Sequence, residues 1–325
     1  MKKMYSLVIA ALVALSIIGC NATEAAPAKP KKIQNVQVFS APNTDGAITT
    51  KTVEAGFDAV GLTIAGNNDM NKPFALRFNN KLHYKVYNLA MFSNSDLTLK
   101  LVKKYPNFGA LTPLTMSIWS DDEAKTMNVS TLSIHGMARA TGVPVTDPDL
   151  IEYAALIQAA LKKAMPSGHF KELDYTVKFP NKTLATDFVA EVDLDGEDPI
   201  DFIEGFEAEF EAELEPLGFL LPNYTNLQEE IFDDAGYTGV YDFYHTYSIC
   251  KFDVIYPVSK LHPEAGAWAP CSFYIYKKTG DNKMHLGFLS VENWITTLDI
   301  EDEESIQPLR QAQGMIEDIV NGMIE

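Results

Sequence analysis

The chain has 325 residues with 44 Asp or Glu and 26 Lys or Arg, which gives a formal net charge of −18 at pH 7. A chain of this length has room for two domains that each bury a core. The excess of carboxylates argues against nucleic acid or anionic lipid headgroups as partners, because both require compensating Lys and Arg.

The first twenty residues have the pattern of an export signal. Two lysines follow Met1, an apolar run covers residues 7–18, and Gly19-Cys20 ends it. The run is too short to span a bilayer as a helix. Residues 17–20, Ile-Ile-Gly-Cys, resemble the lipobox of bacterial lipoproteins, which implies that residues 1–19 are removed and that Cys20 carries lipid. An ordinary signal peptide with a free Cys20 is the alternative.

Residues 20–35 are rich in Ala, Pro and Lys and show no apolar periodicity, which is typical of a tether. Asn21, rather than an aspartate, follows the cysteine, and by resemblance to Gram-negative sorting this favours the outer membrane. We therefore expect an exported protein that is held to the membrane by lipid alone. In a Gram-negative host it would lie at the periplasmic face of the outer membrane.

The first half of the folded part reads as a strand, a helix, several strands and a closing helix. Alternating apolar residues predict the strands, and apolar residues at helical spacing predict the helices. The predicted elements are a strand at 36–42, a helix at 50–65, strands at 74–78 and 84–92, a helical turn at 96–104 and a hairpin of 114–119 with 127–134. Asp147-Pro148 opens the closing helix, because Asp is a good N-cap and Pro is favoured at the first helical position.

The second half repeats this order. It predicts strands at 175–179 and 187–192, a helix at 199–216, strands at 240–251, 271–277 and 284–291, and a closing helix at 303–324. The helix at 199–216 has one apolar stripe, and we interpret its other side as a solvated face. That face carries Glu204, Glu207, Glu209, Glu211, Glu213 and Glu215.

The similarity of the two halves extends to individual residues. A shift of 157 positions aligns residues 84–134 with residues 241–291 without a gap, and twelve residues are identical. The identities in the first copy are Tyr84, Tyr87, Asp96, Lys103, Pro106, Gly109, Ala110, Pro113, Ile118, Met127, Leu132 and Ser133. The chain is therefore a tandem duplication, with residues 36–168 as the first repeat and residues 169–325 as the second.

Around its two cysteines the second repeat resembles the domain of unknown function 302 family. The resemblance rests on Ile249-Cys250, His262-Pro263 and Ala269-Pro270-Cys271 followed by the strand 272–276. It covers residues 199–325 with these motifs, and residues 53–165 as a degenerate copy without the cysteines. It implies an α+β fold of the TATA-binding-protein-like kind, with two tandem β-α-β(4)-α units. Antiparallel sheets would carry helices on one face and pack as a pseudo-two-fold pair. The resemblance implies no reaction, and the fold name implies no DNA binding.

Cys250 and Cys271 occur only in the second repeat, since the first has Ser93 and Leu114 at the equivalent positions. In an oxidising compartment they are expected to form a disulfide, because the helical turn between them would bring their strands side by side. Three alternatives stay open. The pair is a reactive dithiol, a metal or haem-type ligand pair with His245 or His262, or two inert free thiols.

His245, His262, His285 and Trp268 are the other candidate neighbours of a ligand or metal in the second repeat. None of the three histidines has a histidine at the equivalent position of the first repeat, so we favour surface or turn positions for them. The second repeat is also rich in aromatic residues. Most are expected in the core, and the alternative is an apolar cavity between the sheet and the closing helix that holds a small ligand.

The sequence contains no nucleophile elbow, phosphate loop or dinucleotide fingerprint, which lowers the case for an enzyme. We therefore expect a non-catalytic accessory module of the cell envelope that needs no cofactor. It would bind a small apolar ligand or an envelope protein in a groove between the repeats or in the cavity of the second repeat. The alternative is a redox or metal-handling module that uses Cys250 and Cys271.

Overall fold

The structure of the chain is a computed structural model that describes residues 33–176, 178 and 184–324. The predicted signal peptide, Cys20 and most of the tether lie outside these residues. The elements up to Phe170 are β1 (Val36–Pro42), α1 (Thr50–Asp58), β2 (Thr63–Asp69), α2 (Asn71–Arg77), β3 (Tyr87–Ser93), α3 (Ser95–Lys104), a 3₁₀ turn (Pro106–Leu111), β4 (Leu114–Asp121), β5 (Thr126–Leu132), α4 (Ile134–Thr141), α5 (Pro148–Ala164) and β6 (His169–Phe170).

The elements after Phe170 follow nearly the same order, with an added 3₁₀ turn after the first helix and a π-helical turn in the place of α2. They are β7 (Ala185–Glu191), α6 (Pro199–Leu214), a 3₁₀ turn (Glu215–Leu217), β8 (Leu220–Asn226), a π-helical turn (Gln228–Asp233), β9 (Tyr241–Cys250), α7 (Phe252–Leu261), a 3₁₀ turn (Pro263–Ala267), β10 (Cys271–Lys278), β11 (Lys283–Leu289), α8 (Glu292–Thr297) and α9 (Glu303–Ile324). Both closing helices start as the sequence predicts or within one residue of it. In α5, the Asp147 carboxylate accepts hydrogen bonds from the backbone N–H groups of Asp149 and Leu150.

Within the described residues, each repeat folds into an antiparallel sheet with the same strand order. The first sheet runs β2-β3-β4-β5-β1-β6, and the second runs β8-β9-β10-β11-β7. The short β6 pairs with β1 of the first sheet, although residues 169–325 were predicted as the second repeat. Apart from β6, the two orders are equivalent strand by strand. Helices pack on these sheets, and the predicted α+β fold is confirmed.

The two repeats meet through reciprocal contacts. The Tyr87 hydroxyl donates a hydrogen bond to the Pro263 carbonyl, and the Tyr244 hydroxyl donates one to the Pro106 carbonyl. These pairs are related by the 157-residue shift. The 3₁₀ turn Pro106–Leu111 thus packs on the second sheet, and the 3₁₀ turn Pro263–Ala267 packs on the first sheet. A pseudo-two-fold pair requires this reciprocity.

Gly266 marks how closely the second repeat's 3₁₀ turn approaches the first sheet. A Cβ atom at this position would collide with Ser117 of β4 and with the side chain of Leu89 on β3. The Ser117 hydroxyl donates a hydrogen bond of 2.6 Å to the Pro263 carbonyl beside it. Backbone packs directly on sheet here, and only glycine fits without displacement.

Three predicted elements differ from the structure. Residues 74–77 of the predicted strand 74–78 belong to helix α2, and Phe78 follows the helix directly. Phe74 and Phe78 both pack against Tyr256 of α7. The predicted helix 50–65 stops at Asp58, because Gly61 takes a positive φ and strand β2 follows. For the predicted strand 175–179, the described residues 175, 176 and 178 have no regular structure, and 177 and 179 lie outside the described residues.

The folded part begins slightly earlier than predicted. Gln34 and Asn35, assigned to the tether, are bonded to the first repeat: the Ser133 hydroxyl donates to the Gln34 carbonyl and the Ser133 N–H donates to the Asn35 carbonyl. Among the helices of the described chain, none combines the length and apolar character that crossing a bilayer requires.

Candidate functional site

An apolar pocket lies in the second repeat, beside the adjoining ends of β9 and β10 and against the closing helix α9. Its volume is about 50 Å³. The aliphatic residues that line it come from β9, α7 and α9, and include Ile249, Val254, Ile255, Leu309, Ala312 and Ile316. We call it the α9 pocket. Its surface is almost entirely apolar, so it favours a guest that gives up little hydration on entry.

Cys250 and Cys271, the pocket thiols, both line the α9 pocket. Cys250 ends β9 and Cys271 begins β10, and these strands are antiparallel neighbours. The register pairs Cys271 with Ile249, so that Cys250 lies one position further along. Such an offset places the two Cα atoms about 6 Å apart and directs the two Cβ atoms toward opposite faces of a regular sheet.

The pocket thiols are free in the structure, which differs from the expected disulfide. The strand register gives the physical reason. A disulfide needs Cβ atoms that point toward each other, whereas a one-residue offset turns them apart. The sequence indicated that the strands would be neighbours, but the spacing of the two cysteines does not specify the register between them.

Burial dominates the acid–base behaviour of both pocket thiols. It raises the pKa of Cys250 to about 12, although a backbone hydrogen bond from Lys251 opposes the rise. Burial raises the pKa of Cys271 to about 12 as well, with a further contribution from the neighbouring Cys250 thiol, and the Trp294 indole opposes it. Both thiols are therefore protonated near neutral pH, which argues against a reactive dithiol because the thiolate is the nucleophile.

Two polar groups border the thiols. Trp294 lines the pocket and is buried, and its indole N–H has no hydrogen-bond partner within bonding geometry. Lys251 follows Cys250 directly, and its ammonium group bonds the Leu217 carbonyl and lies 5.0 Å from the Phe219 ring centroid. The pocket thus has a positive charge and an unused hydrogen-bond donor at its cysteine end.

The three histidines lie in different places, and none lines the α9 pocket. His262 is 3.7 Å from a Glu264 oxygen and 3.4 Å from an Asp302 oxygen. Burial lowers its pKa, but the two carboxylates outweigh this and hold the pKa above its ordinary value. His285 stacks on the Tyr276 ring at 4.8 Å, and burial lowers its pKa. Neither is a neighbour of the pocket thiols.

His245 belongs to a buried network beneath α6. Its Nδ1 atom is 2.8 Å from a Glu207 oxygen and 3.2 Å from the Tyr224 hydroxyl, while Nε2 has no partner. Glu207 is 7% exposed. The prediction that all six glutamates of this helix form a solvated face was wrong for Glu207. Its position on the stripe of buried residues at 203, 210 and 214 was the available signal.

Trp268 is a core residue and does not line the α9 pocket. It is 2% exposed, and its indole N–H donates a hydrogen bond of 3.0 Å to the Thr297 hydroxyl. Across the described ranges 33–176, 178 and 184–324, no cluster of three or more His, Cys, Asp or Glu side chains could hold a metal ion. The structure therefore brings the pocket thiols to one site without the histidines or Trp268.

The first repeat has a different concave feature. A polar cleft of about 810 Å³ lies between the loop before α1 and the β4–β5 hairpin. Its side chains bond to each other: Lys85 Nζ lies 3.4 Å from an Asp122 oxygen, and the Asn43 side chain bonds the Ile48 backbone. This cleft is open to solvent, and several of its polar groups are bonded to one another.

Residues 40–166 match the family model described as Domain of unknown function DUF302. The first repeat matches the DUF302 family. This match falls on the copy that the sequence analysis described as degenerate, and that copy has Ser93 and Leu114 in place of the cysteines. The family model is therefore matched by a copy that has no cysteine pair.

Solved structures also match the chain. One is the crystal structure of an uncharacterized conserved protein DUF302 from Bacillus stearothermophilus, at 8% sequence identity and a TM-score of 0.34. The match covers 39% of this chain and 97% of that chain. No curated protein matches the sequence.

Proposed function

We propose that the protein is a non-catalytic binding module of the cell envelope, and that its second repeat holds a small apolar ligand, or an apolar group of a partner, in the α9 pocket. The observation that carries this proposal is the pocket itself, which is apolar and is bordered by the only two cysteines of the described residues. The absence of catalytic motifs from the sequence also supports a binding role.

The size of the pocket restricts the ligand. About 50 Å³ is well below the 300–1,000 Å³ of ordinary small-molecule sites. An engineered apolar cavity of ~150 Å³ binds benzene, and the α9 pocket is considerably smaller. The ligand is therefore a group of a few heavy atoms, or a larger molecule that inserts only a narrow end.

Xenon is a suitable probe because it enters small apolar cavities without needing a polar partner. We expect one xenon site at the α9 pocket in crystals of the full chain under xenon pressure. Ala312→Leu should remove this site by filling the pocket, whereas Ala155→Leu, an exposed position 157 residues earlier, should retain it. No density at the pocket in the unmodified chain would contradict the proposal.

The envelope location is the second part of the proposal. It is supported by the basic start, the apolar run and the lipobox-like sequence that ends at Cys20. Intact-mass measurement on the protein from its own membrane should show a chain that begins at Cys20 with added acyl mass. Cys20→Ser should lack the acyl mass and leave the membrane fraction. A mature chain with an unmodified Cys20 would contradict lipid anchoring.

The alternative function at the same place is a redox or metal-handling role. The raised pKa of both pocket thiols disfavours the redox form, because external thiol exchange needs a thiolate. The metal-handling form meets the same difficulty, since a cysteine must lose its proton to bind a metal ion. The raised thiol pKa values therefore disfavour both forms of the alternative.

A further inference from the structure

We propose that the outer edge of β7, the strand Ala185–Glu191, binds an extended segment of a partner protein that joins the second sheet as an antiparallel strand. The bound segment places an aromatic side chain opposite Phe188 and a basic side chain opposite Asp187. We call this surface the β7 edge. It is a different surface from the α9 pocket, so the inference goes beyond the proposed function.

β1 of the first repeat and β7 of the second repeat occupy the same position in their sheets. β1 pairs Phe39 with Val129, and β7 pairs Phe188 with Leu286. Val129 and Leu286 are separated by the 157 residues that relate the two repeats. Phe39 and Phe188 are therefore equivalent, and the residues on either side of them correspond as well.

The first repeat covers the outer edge of β1 with its own chain. The short β6 pairs with that edge, where Phe170 lies opposite Phe39 and His169 lies opposite Ser40. The Phe170 ring packs edge-on against the Phe39 ring, with 4.8 Å between the ring centroids. Phe39 is 2% exposed and Ser40 is 4% exposed. This edge is therefore buried beneath an added strand.

The β7 edge is open in the part of the chain that the structure describes. β11 pairs with the inner side of β7, and none of the described strands pairs with its outer side. Phe188, the equivalent of Phe39, is half-buried, and Val189, the equivalent of Ser40, is 51% exposed. An uncovered edge presents unpaired backbone N–H and C=O groups, with which an extended peptide can pair.

The backbone groups of Asp187 and Val189 are those that an added strand would bind. In the first repeat, the Lys171 N–H donates a hydrogen bond of 2.9 Å to the Val38 carbonyl, so the backbone of Val38 faces β6. Asp187 is the equivalent of Val38, and alternate residues of a strand direct their backbone groups to the same side. The N–H and C=O groups of Asp187 and Val189 therefore point away from β11.

The side chain of Phe188 favours an aromatic residue in the partner. Phe188 stacks on Phe288 with ring centroids 6.4 Å apart and is still half-buried. In the first repeat, the Phe170 ring covers the equivalent Phe39. Residues directly opposite each other in paired strands share a face of the sheet. An aromatic side chain opposite Phe188 would thus remove apolar area from water.

The charge of the β7 edge favours a basic residue in the partner. Asp187 and Glu191 are both exposed on β7. β6 carries Lys171 at the position that corresponds to a residue opposite Asp187, and opposite charges stabilise paired strands. A second copy of this chain is disfavoured as the partner, because pairing β7 with β7 adds carboxylates to carboxylates in a chain of net charge −18.

The probe is a labelled synthetic peptide with blocked ends and the sequence of residues 167–173, Ser-Gly-His-Phe-Lys-Glu-Leu, which includes β6. It is titrated into the full chain in detergent, and binding is measured by fluorescence anisotropy. We expect a Phe170→Ala peptide to bind at least about tenfold more weakly and a Lys171→Glu peptide about threefold more weakly. The peptide variants test the edge without changing the fold of the chain.

Val189→Pro tests the position of the site on the chain. Proline is tolerated on an edge strand where the replaced N–H faces away from the sheet, so the variant loses one outward donor and keeps its pairing with β11. It should weaken peptide binding at least about tenfold. The matched control Val189→Thr keeps the N–H and the β-branched shape and should bind the peptide as the unmodified chain does. Circular dichroism and the melting temperature should show that both variants are folded.

The outcomes separate this inference from the proposed function. Peptide binding that Val189→Pro does not weaken, or no binding at about 1 mM peptide, would overturn the β7 edge as a binding site. Sedimentation of the unmodified chain as a dimer that Val189→Pro dissociates would make a second copy the occupant and would overturn the partner protein. Val189 does not line the α9 pocket, so Val189→Pro should keep the xenon site whatever the peptide does.

Discussion

Gly266→Ala tests the close packing of one repeat on the other. The added Cβ atom would lie 2.8 Å from the backbone N of Ser117 and 2.7 Å from a Leu89 methyl carbon. Both distances are shorter than ordinary contacts, and β4 is held between β3 and β5, so its backbone has little freedom to move. The clash should therefore shift the 3₁₀ turn of the second repeat away from the first sheet.

The expected cost combines two terms. Overpacking in a filled core costs about 1–3 kcal/mol, and displacement of the turn weakens the Ser117–Pro263 hydrogen bond, which contributes about 1 kcal/mol. Alanine also lowers the conformational entropy of the unfolded chain relative to glycine, which stabilises the folded state by about 0.4–1 kcal/mol. We expect a net loss of about 2 kcal/mol in the free energy of unfolding, and a melting temperature lower by roughly 4–8 °C.

Gly314→Ala is the matched control, because it lies in helix α9 with no atom near the position of an added Cβ. There the same substitution should stabilise the chain by about 0.5–1 kcal/mol, since alanine is the better helix former. Thermal and urea denaturation of both variants measures the two effects. A Gly266→Ala chain as stable as the unmodified chain would refute the close approach of the two repeats.

Three further predictions concern buried titratable groups. The carboxylates beside His262 raise its pKa, so the charged imidazolium stabilises the fold fully below pH 6.5. This stabilisation is lost as the pH rises through the folded pKa. His262→Gln should therefore destabilise the chain in urea at pH 5.5 and change its stability little at pH 8.5. Glu207→Ala leaves the buried His245 without its carboxylate and should lower the free energy of unfolding by about 1–3 kcal/mol. The control Glu209→Ala, at an exposed position, should change it by no more than about 0.5 kcal/mol. Equal urea midpoints for the two variants would contradict the buried Glu207–His245 pair. The half-buried pocket thiols should be alkylated at pH 8 about a thousandfold more slowly in the folded chain than in the unfolded chain, because their pKa is about 12. Equal alkylation rates by mass spectrometry would contradict the raised pKa values.

The duplication in the sequence predicted most of the architecture of the folded part. A gapless shift of 157 positions requires equivalent strands, and the two sheets have the same order. Local sequence patterns gave the wrong secondary structure where contacts with the other repeat determine it. Phe74 and Phe78 suggested a strand, but their packing against Tyr256 of the other repeat stabilises a helix.

The candidate site was predicted in its residues but not in its geometry. Two cysteines at strand ends indicated a common location, and the structure places both in one pocket. Their strand register, which separates a disulfide from two free thiols, depends on hydrogen bonds between distant segments and leaves no local pattern. The Glu207–His245 pair was not predicted, because Glu207 was interpreted together with five other glutamates although it lies on the apolar stripe of the helix.

The most direct test of a binding role for the α9 pocket is native mass spectrometry of the full chain extracted from its own membrane without reductant. The account predicts a mass above that of the acylated chain, which disappears on denaturation and is absent from Ala312→Leu but retained in Ala155→Leu. If the native mass equals the acylated chain in the unmodified protein, or if the extra mass is the same in Ala312→Leu, the pocket is not the binding site.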